Sequence, residues 1–135
     1  MNYKVEKIEG VGVKYAGMLG KVGIRKTKQL LEKAATRKGR KALAEASGID
    51  ETLILKWANM CDLMRIKGVG EEFSELLEVA GVDTVKELAK RRADNLHKAM
   101  ADANGKRKLV RQLPGAGQVE SWVAQAKAIA PMMQY

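Results

Sequence analysis

Apolar residues recur along this chain with helical spacing. Val13, Ala16, Leu19 and Val22 follow one another at every third position, and further on Phe73, Leu76, Leu77 and Ala80 form a second stripe. Steps of three and four residues place side chains on one face of an α-helix, whereas a strand needs strict alternation. No alternating run of β-branched residues occurs anywhere. The pattern predicts an all-α chain with short helices near 4–8, 13–22, 28–35, 37–47, 51–65, 71–80, 85–91, 95–103, 106–112 and 118–130. Gly23 and Gly81 fall where a helix C-terminus takes a left-handed residue. Thr27, Asp50, Asp83 or Thr84, and Asp94 are the expected N-caps of the helices that follow.

The pattern also repeats. A shift of 58 residues pairs Ile8 with Ile66, Gly10 with Gly68, Val11 with Val69, Gly12 with Gly70, Tyr15 with Phe73, Leu19 with Leu77, Gly23 with Gly81, Ile24 with Val82 and Leu30 with Leu88. Further on, Ile54 and Trp57 match Val119 and Trp122 at a shift of 65, so the second copy carries about seven extra residues around "ADANGKRKLV". Every pair is a glycine or an apolar residue, as expected of a duplicated fold. The expected organisation is one unit over 1–65 and a second over 66–135. No Ser/Gly/Pro-rich linker divides them, and 51–65 runs from one copy into the next, so the two are expected to pack as one body.

The repeated corner is "IEGVG" at 8–12 and "IKGVG" at 66–70. Gly10 and Gly68 allow positive φ, Gly12 and Gly70 allow a close backbone approach, and Val11 and Val69 are expected to plug the space behind the turn. A helix N-terminus with free amides attracts anions, so such a corner can hold a DNA phosphate without reading a base. "LPGAGQ" offers a third version at Gly115, Ala116 and Gly117, and "SGIDE" a degenerate fourth at Gly48 and Ile49.

These corners resemble the helix-hairpin-helix motif of DNA repair and recombination proteins. Over nearly the whole chain, "IEGVGVKYAGML", "GRKALAEASGI", "ILKWANMCDLMRIKGVGEEFSELLEVAGVDTVKELAKRRADNL" and "LPGAGQVESWVAQAKAI" are similar to a bacterial family of uncharacterised proteins built from tandem helix-hairpin-helix units. The resemblance implies a tandem, pseudo-duplicated helical fold and says little about activity.

Charge then separates the corners. The net charge is +9 over 135 residues, but it is unevenly spread: residues 1–48 carry 12 basic and 4 acidic side chains (+8), 49–88 carry 4 and 9 (−5), and 89–135 carry 9 and 3 (+6). Around the first corner stand Lys14, Lys21, Arg25, Lys26 and Lys28, with Arg37, Lys38, Arg40 and Lys41 following in "TRKGRKA". Such a cluster neutralises phosphates. The second corner has only Lys67 and opens a helix bearing Glu71, Glu72, Glu75 and Glu78, so Lys67, Gly68 and Gly70 are weaker candidates. Lys106, Arg107, Lys108 and Arg111 precede the third corner, making it the next best.

Other chemistry is sparse. The single cysteine, Cys61, sits in an apolar stripe beside Asp62 and cannot form an internal disulfide; it suits a reducing, cytoplasmic location and reads as a buried small residue. His97 has no second metal ligand nearby, so no metal or cofactor is expected. Trp57 and Trp122 keep the spacing of their apolar neighbours and are expected to be core anchors, and at 4% aromatic residues few stacking platforms for single strands remain. No apolar run reaches membrane-spanning length. The tail "PMMQY" either packs on the body or meets a partner. The expected function is non-enzymatic, sequence-independent binding of nucleic acid, double-stranded DNA first, through hairpin amides and Lys/Arg. The alternative is a protein-interaction adaptor, self-association included, with the same fold.

Overall fold

A computed structural model describes residues 2–135. A 3-10 turn at Val5–Lys7 leads into α1 (Gly12–Lys21), α2 (Thr27–Ala34), α3 (Arg37–Ser47), α4 (Glu51–Leu63), α5 (Glu71–Val79), α6 (Val85–Ala89), α7 (Ala93–Arg107) and α8 (Ala116–Ala128). Among the described residues β-pairing is limited to an isolated antiparallel bridge between Lys4 and Lys26, and no helix is long and apolar enough to cross a membrane.

The helix ends follow local chemistry. Asp50 accepts from the Thr52 amide at 2.7 Å and Thr84 from the Glu87 amide at 3.3 Å, each satisfying an amide that the first helical turn leaves free. Two expected caps do other work. Thr27 lies one residue inside α2, where its hydroxyl accepts from the Tyr3 amide at 3.0 Å and its own amide reaches the Tyr3 carbonyl at 2.7 Å. The cap position is Lys26, and Gln29 Oε1 takes the Arg25 and Lys26 amides. Asp94 falls in the first turn of α7, which Arg92 precedes.

The expected pair of helices at 95–103 and 106–112 is instead one helix, α7, followed by irregular chain. Lys108 ends it in the left-handed region, φ 47°, its amide donating to the Asn104 carbonyl at 2.7 Å. The Asn104 amide group then brackets Val110, accepting from its N–H at 2.9 Å and donating to its carbonyl at 3.1 Å. Those bonds turn the chain away from the helix axis.

Apolar side chains gather in two clusters. One holds Ile8, Val11, Leu19, Ile24, Leu30, Ile54 and Trp57; the other holds Ile66, Val69, Leu77, Val82, Leu88, Val119 and Trp122. Position by position these are the residues that the internal repeat pairs. In the first cluster α2 packs on α4, and in the second α6 packs on α8. The two tryptophans are core anchors, each about 1% exposed. Trp57 meets Tyr15 edge-on with centroids 5.0 Å apart, and Trp122 meets Phe73 at 5.2 Å. Each indole also backs a hairpin glycine: a Cβ on Gly10 would stand 3.8 Å from Trp57 Nε1, and one on Gly68 only 3.0 Å from Trp122 Nε1.

Buried polar groups tie the halves together. Asp62, at the end of α4, accepts from Arg65 Nη1 at 2.9 Å and from the Val85 amide at 2.8 Å, which holds the start of α6. Arg65 Nη2 donates to the Ala130 carbonyl at 2.8 Å. The tail then packs on the body: Met133 enters the first core, the Gln134 amide donates to the Ala35 carbonyl at 2.7 Å, and Tyr135 Oη meets Asn59 Oδ1 at 2.7 Å.

Candidate nucleic-acid interface

Both "GVG" corners are built alike up to their second glycine. The Val11 amide donates to the Ile8 carbonyl at 3.2 Å and the Val69 amide to the Ile66 carbonyl at 3.1 Å. Gly10 at φ 89° and Gly68 at φ 97° occupy a region that costs any other residue backbone strain. The buried valines, Val11 and Val69, plug the turns. At the second glycine they part: Gly12 is left-handed, φ 60°, whereas Gly70 is extended at φ −105°.

No side chain caps α1, and Gly10, Gly12, Val13 and Lys14 are exposed at its start, Val13 by 88%. Alongside runs a cleft of about 460 Å³ lined by the apolar Val5, Val13, Ala16 and Gly17 and by the charged Lys4, Glu6, Arg25 and Lys26. The backbone explains why these cations meet. The Lys4–Lys26 bridge and the Val5 amide, which donates to the Arg25 carbonyl at 3.0 Å, bring the N-terminal segment beside the α1–α2 loop. Lys4 joins these cations through a pairing 22 residues away in sequence, which no local pattern signals.

Of the other expected contacts, Lys21, Lys28, Arg37, Lys38, Lys106, Arg107, Lys108 and Arg111 are exposed, as is Lys67. Arg40 is not: it is 3% exposed. Its guanidinium donates to the carbonyls of Ala34 at 3.0 Å, Ala35 at 3.2 Å and Gln134 at 2.9 Å, and it lies over the Tyr135 ring at 5.7 Å. These bonds commit it to the interior and remove it from the interface. "TRKGRK" is thus a helix corner as much as a basic run. Thr36 caps α3 through the Gly39 amide at 3.0 Å, and a Cβ on Gly39 would collide with the Lys33 carbonyl.

The third corner differs from the first two. Gly115 precedes α8 with φ −68°, and neither it nor Gly117 has positive φ. It is a plain helix start, exposed and without a side-chain cap, and the preceding Pro114 carbonyl lies 2.9 Å from His97 Nε2. That contact gives His97 a structural position. Cys61 is buried, and desolvation, with the adjacent Asp62 charge, pushes its thiol far above the usual range, so it stays a neutral thiol. Among the described residues no cluster of three His, Cys, Asp or Glu side chains could hold a metal ion.

The electrostatic surroundings of the first hairpin are two-sided. Glu75 on α5 is held above the ordinary carboxylate range by burial first and by the charge of Glu9 second, which places the first turn beside the acidic face of α5. Glu78 is also raised, mainly by burial, with Lys56 and Arg107 opposing and Asp83 adding to the shift; its Oε2 is buried without a hydrogen-bond partner. A carboxyl whose folded pKa is raised binds more protons folded than unfolded. Stability therefore falls as pH rises from the ordinary value near 4.5 through the raised one. Glu78→Gln is expected to raise Tm at neutral pH, with the gain disappearing below about pH 4 as the native carboxyl protonates in both states; thermal melts across pH check this.

No curated protein and no solved structure matches the chain. Residues 9–129 match a domain of unknown function, DUF4332, and the chain belongs to that family.

Proposed function

We propose that this protein is a non-enzymatic, sequence-independent DNA-binding module made of two helix-hairpin-helix units, 1–65 and 66–135. The observation that supports this best is the uncapped start of α1, where exposed Gly10 and Gly12 adjoin a cleft lined in part by Lys4, Arg25 and Lys26. In this reading the α1 amides dock on a backbone phosphate, and the cations, with Lys14, Lys21 and Lys28, attract the neighbouring phosphates. Arg37, Lys38, Lys106, Arg107, Lys108, Arg111 and the α8 start at Gly115 and Gly117 are secondary contacts. Double-stranded DNA is the proposed partner because neither tryptophan is exposed for stacking on single-stranded bases.

The test is a titration with a short duplex at several salt concentrations. Affinity should fall steeply with salt and vary little with sequence. The combined variant Lys14→Glu, Arg25→Glu and Lys26→Glu should weaken binding strongly and lower the log–log salt slope by about 2–3, near 0.9 per lost phosphate contact. Absence of binding at low salt, or an unchanged slope in the variant, removes the reading. An adaptor function is the second reading, favoured by the exposed Glu71 and Glu72 beside Glu75 on α5, a surface suited to a cationic partner.

A further inference from the structure

The internal repeat leaves one groove filled and its counterpart open. In the first half, the groove between the α2–α3 junction and the flank of α4 is covered by the chain's own tail: Gln134 pairs with Ala35, Tyr135 reaches Asn59, and Met133 descends into the core. The shift of 65 residues that maps α4 onto α8 carries Ala58, Asn59 and Asp62 onto Val123, Ala124 and Lys127. Between that flank of α8 and the α6–α7 junction lies a cleft of about 490 Å³ where Arg91, Arg92 and Lys127 outnumber the two carboxylates, Asp94 and Glu120, over Val123 and Ala124. Among the described residues no segment covers it as the tail covers the first groove.

The open groove differs from the filled one in charge. At the position of Asp62 stands Lys127, exposed, and Arg91 borders the cleft. Asp94 is paired with Arg92 at 3.1 Å, whereas among the described residues neither Arg91 nor Lys127 has an ion-pair partner. Ala124 replaces Asn59, leaving an apolar floor where the first half has a polar hook. An occupant that suits both features is extended like the tail, carries an apolar anchor, and bears a carboxylate beside it. The chain's own tail has the anchor but no acidic side chain between 129 and 135, and it is already seated.

We propose that the groove between the α6–α7 junction and α8 docks an extended acidic peptide of a partner protein, an apolar side chain resting on Val123 and Ala124 and a carboxylate facing Arg91 and Lys127. The proposal does not depend on DNA binding.

The test uses the full chain and a synthetic peptide copying residues 128–135 with Gln134→Glu. Saturable binding is expected with a Kd on the order of 10⁻⁴ M, within the range of weak peptide docking. Amide shifts should be confined to 91–94 and 120–127, and Arg91→Glu and Lys127→Glu should each weaken binding by about tenfold. Lys127 is exposed and Arg91 half-buried; circular dichroism checks that both variants fold, and Lys127→Glu alone keeps the test if Arg91→Glu does not. No saturation at about 5 mM peptide overturns the proposal, as do shifts centred on Ala35 and Asn59, which mean displacement of the native tail. Duplex DNA shifting residues 91–94, with DNA affinity falling in the two variants, assigns the groove to nucleic acid instead. Concentration-dependent dimerisation that is abolished by removing residues 131–135 assigns it to a second copy of the chain.

Discussion

Trp122→Ala is expected to lower the free energy of unfolding by about 3–5 kcal/mol, the usual cost of emptying a large aromatic site in a core that closes only in part. Trp122 is about 1% exposed, faces Phe73, and backs the turn at Gly68 closely enough that a Cβ there would stand 3.0 Å from its Nε1. The change therefore removes packing from α8, the Phe73 partner and the support beneath the second hairpin together. Trp122→Phe should cost less, because a ring remains to meet Phe73. The alanine variant leaves Trp57 as the sole tryptophan, a reporter located wholly in the first core. The cores adjoin at the end of α4, where Leu63 belongs to one and Met64, the next residue, to the other. Urea unfolding followed by Trp57 fluorescence should thus coincide with the far-ultraviolet circular dichroism transition; an earlier dichroism transition would mean that the second core melts alone.

Arg40→Met is expected to destabilise by about 2–4 kcal/mol. Its guanidinium satisfies three carbonyls, two at the end of α2 and one in the tail, and hydrogen bonds from a charged donor are worth about 1.5–3 kcal/mol each before the acceptors regain water. The methionine stem keeps most of the packing, so the loss reports the bonds. Arg40→Lys should recover only part, since one ammonium cannot reproduce a planar fork reaching three oxygens. Amide exchange at Gln134, whose N–H donates to the Ala35 carbonyl, should speed up in both variants. The salt slope of DNA binding should not change, which separates Arg40 from the exposed cations of the proposed interface.

Much of the fold was legible because its signals are local. The helical spacing and the left-handed glycines at 10, 23, 68 and 81 arise within a few residues, the duplication writes the same local signals twice, and the structure has the glycines and the paired apolar positions in place, whereas Val13 of the first stripe stands exposed. What the sequence concealed depends on long-range partners. Arg40 sits in a run of basic residues that looks like a solvated face, and its burial follows from carbonyls that α2 and the tail present only after folding. Asp62, between Cys61 and Leu63, reads as a break in an apolar stripe until the Val85 amide and Arg65 are seen to satisfy it. The residues at 106–112 have helical composition, but Asn104 competes for the backbone through Val110 and wins. At the candidate site, the glycines and Arg25 and Lys26 could be named from the chain, whereas Lys4 could not.

The position of Met133 has a consequence for biosynthesis. It is part of the first core, alongside residues as early as Val5 and Ile8, so a growing chain cannot close that core when α4 leaves the ribosome. Residues 5–64 leave the place of Met133 open until residue 133 has also emerged. Domains usually complete in order from the N-terminus during synthesis; here the half made first is finished last.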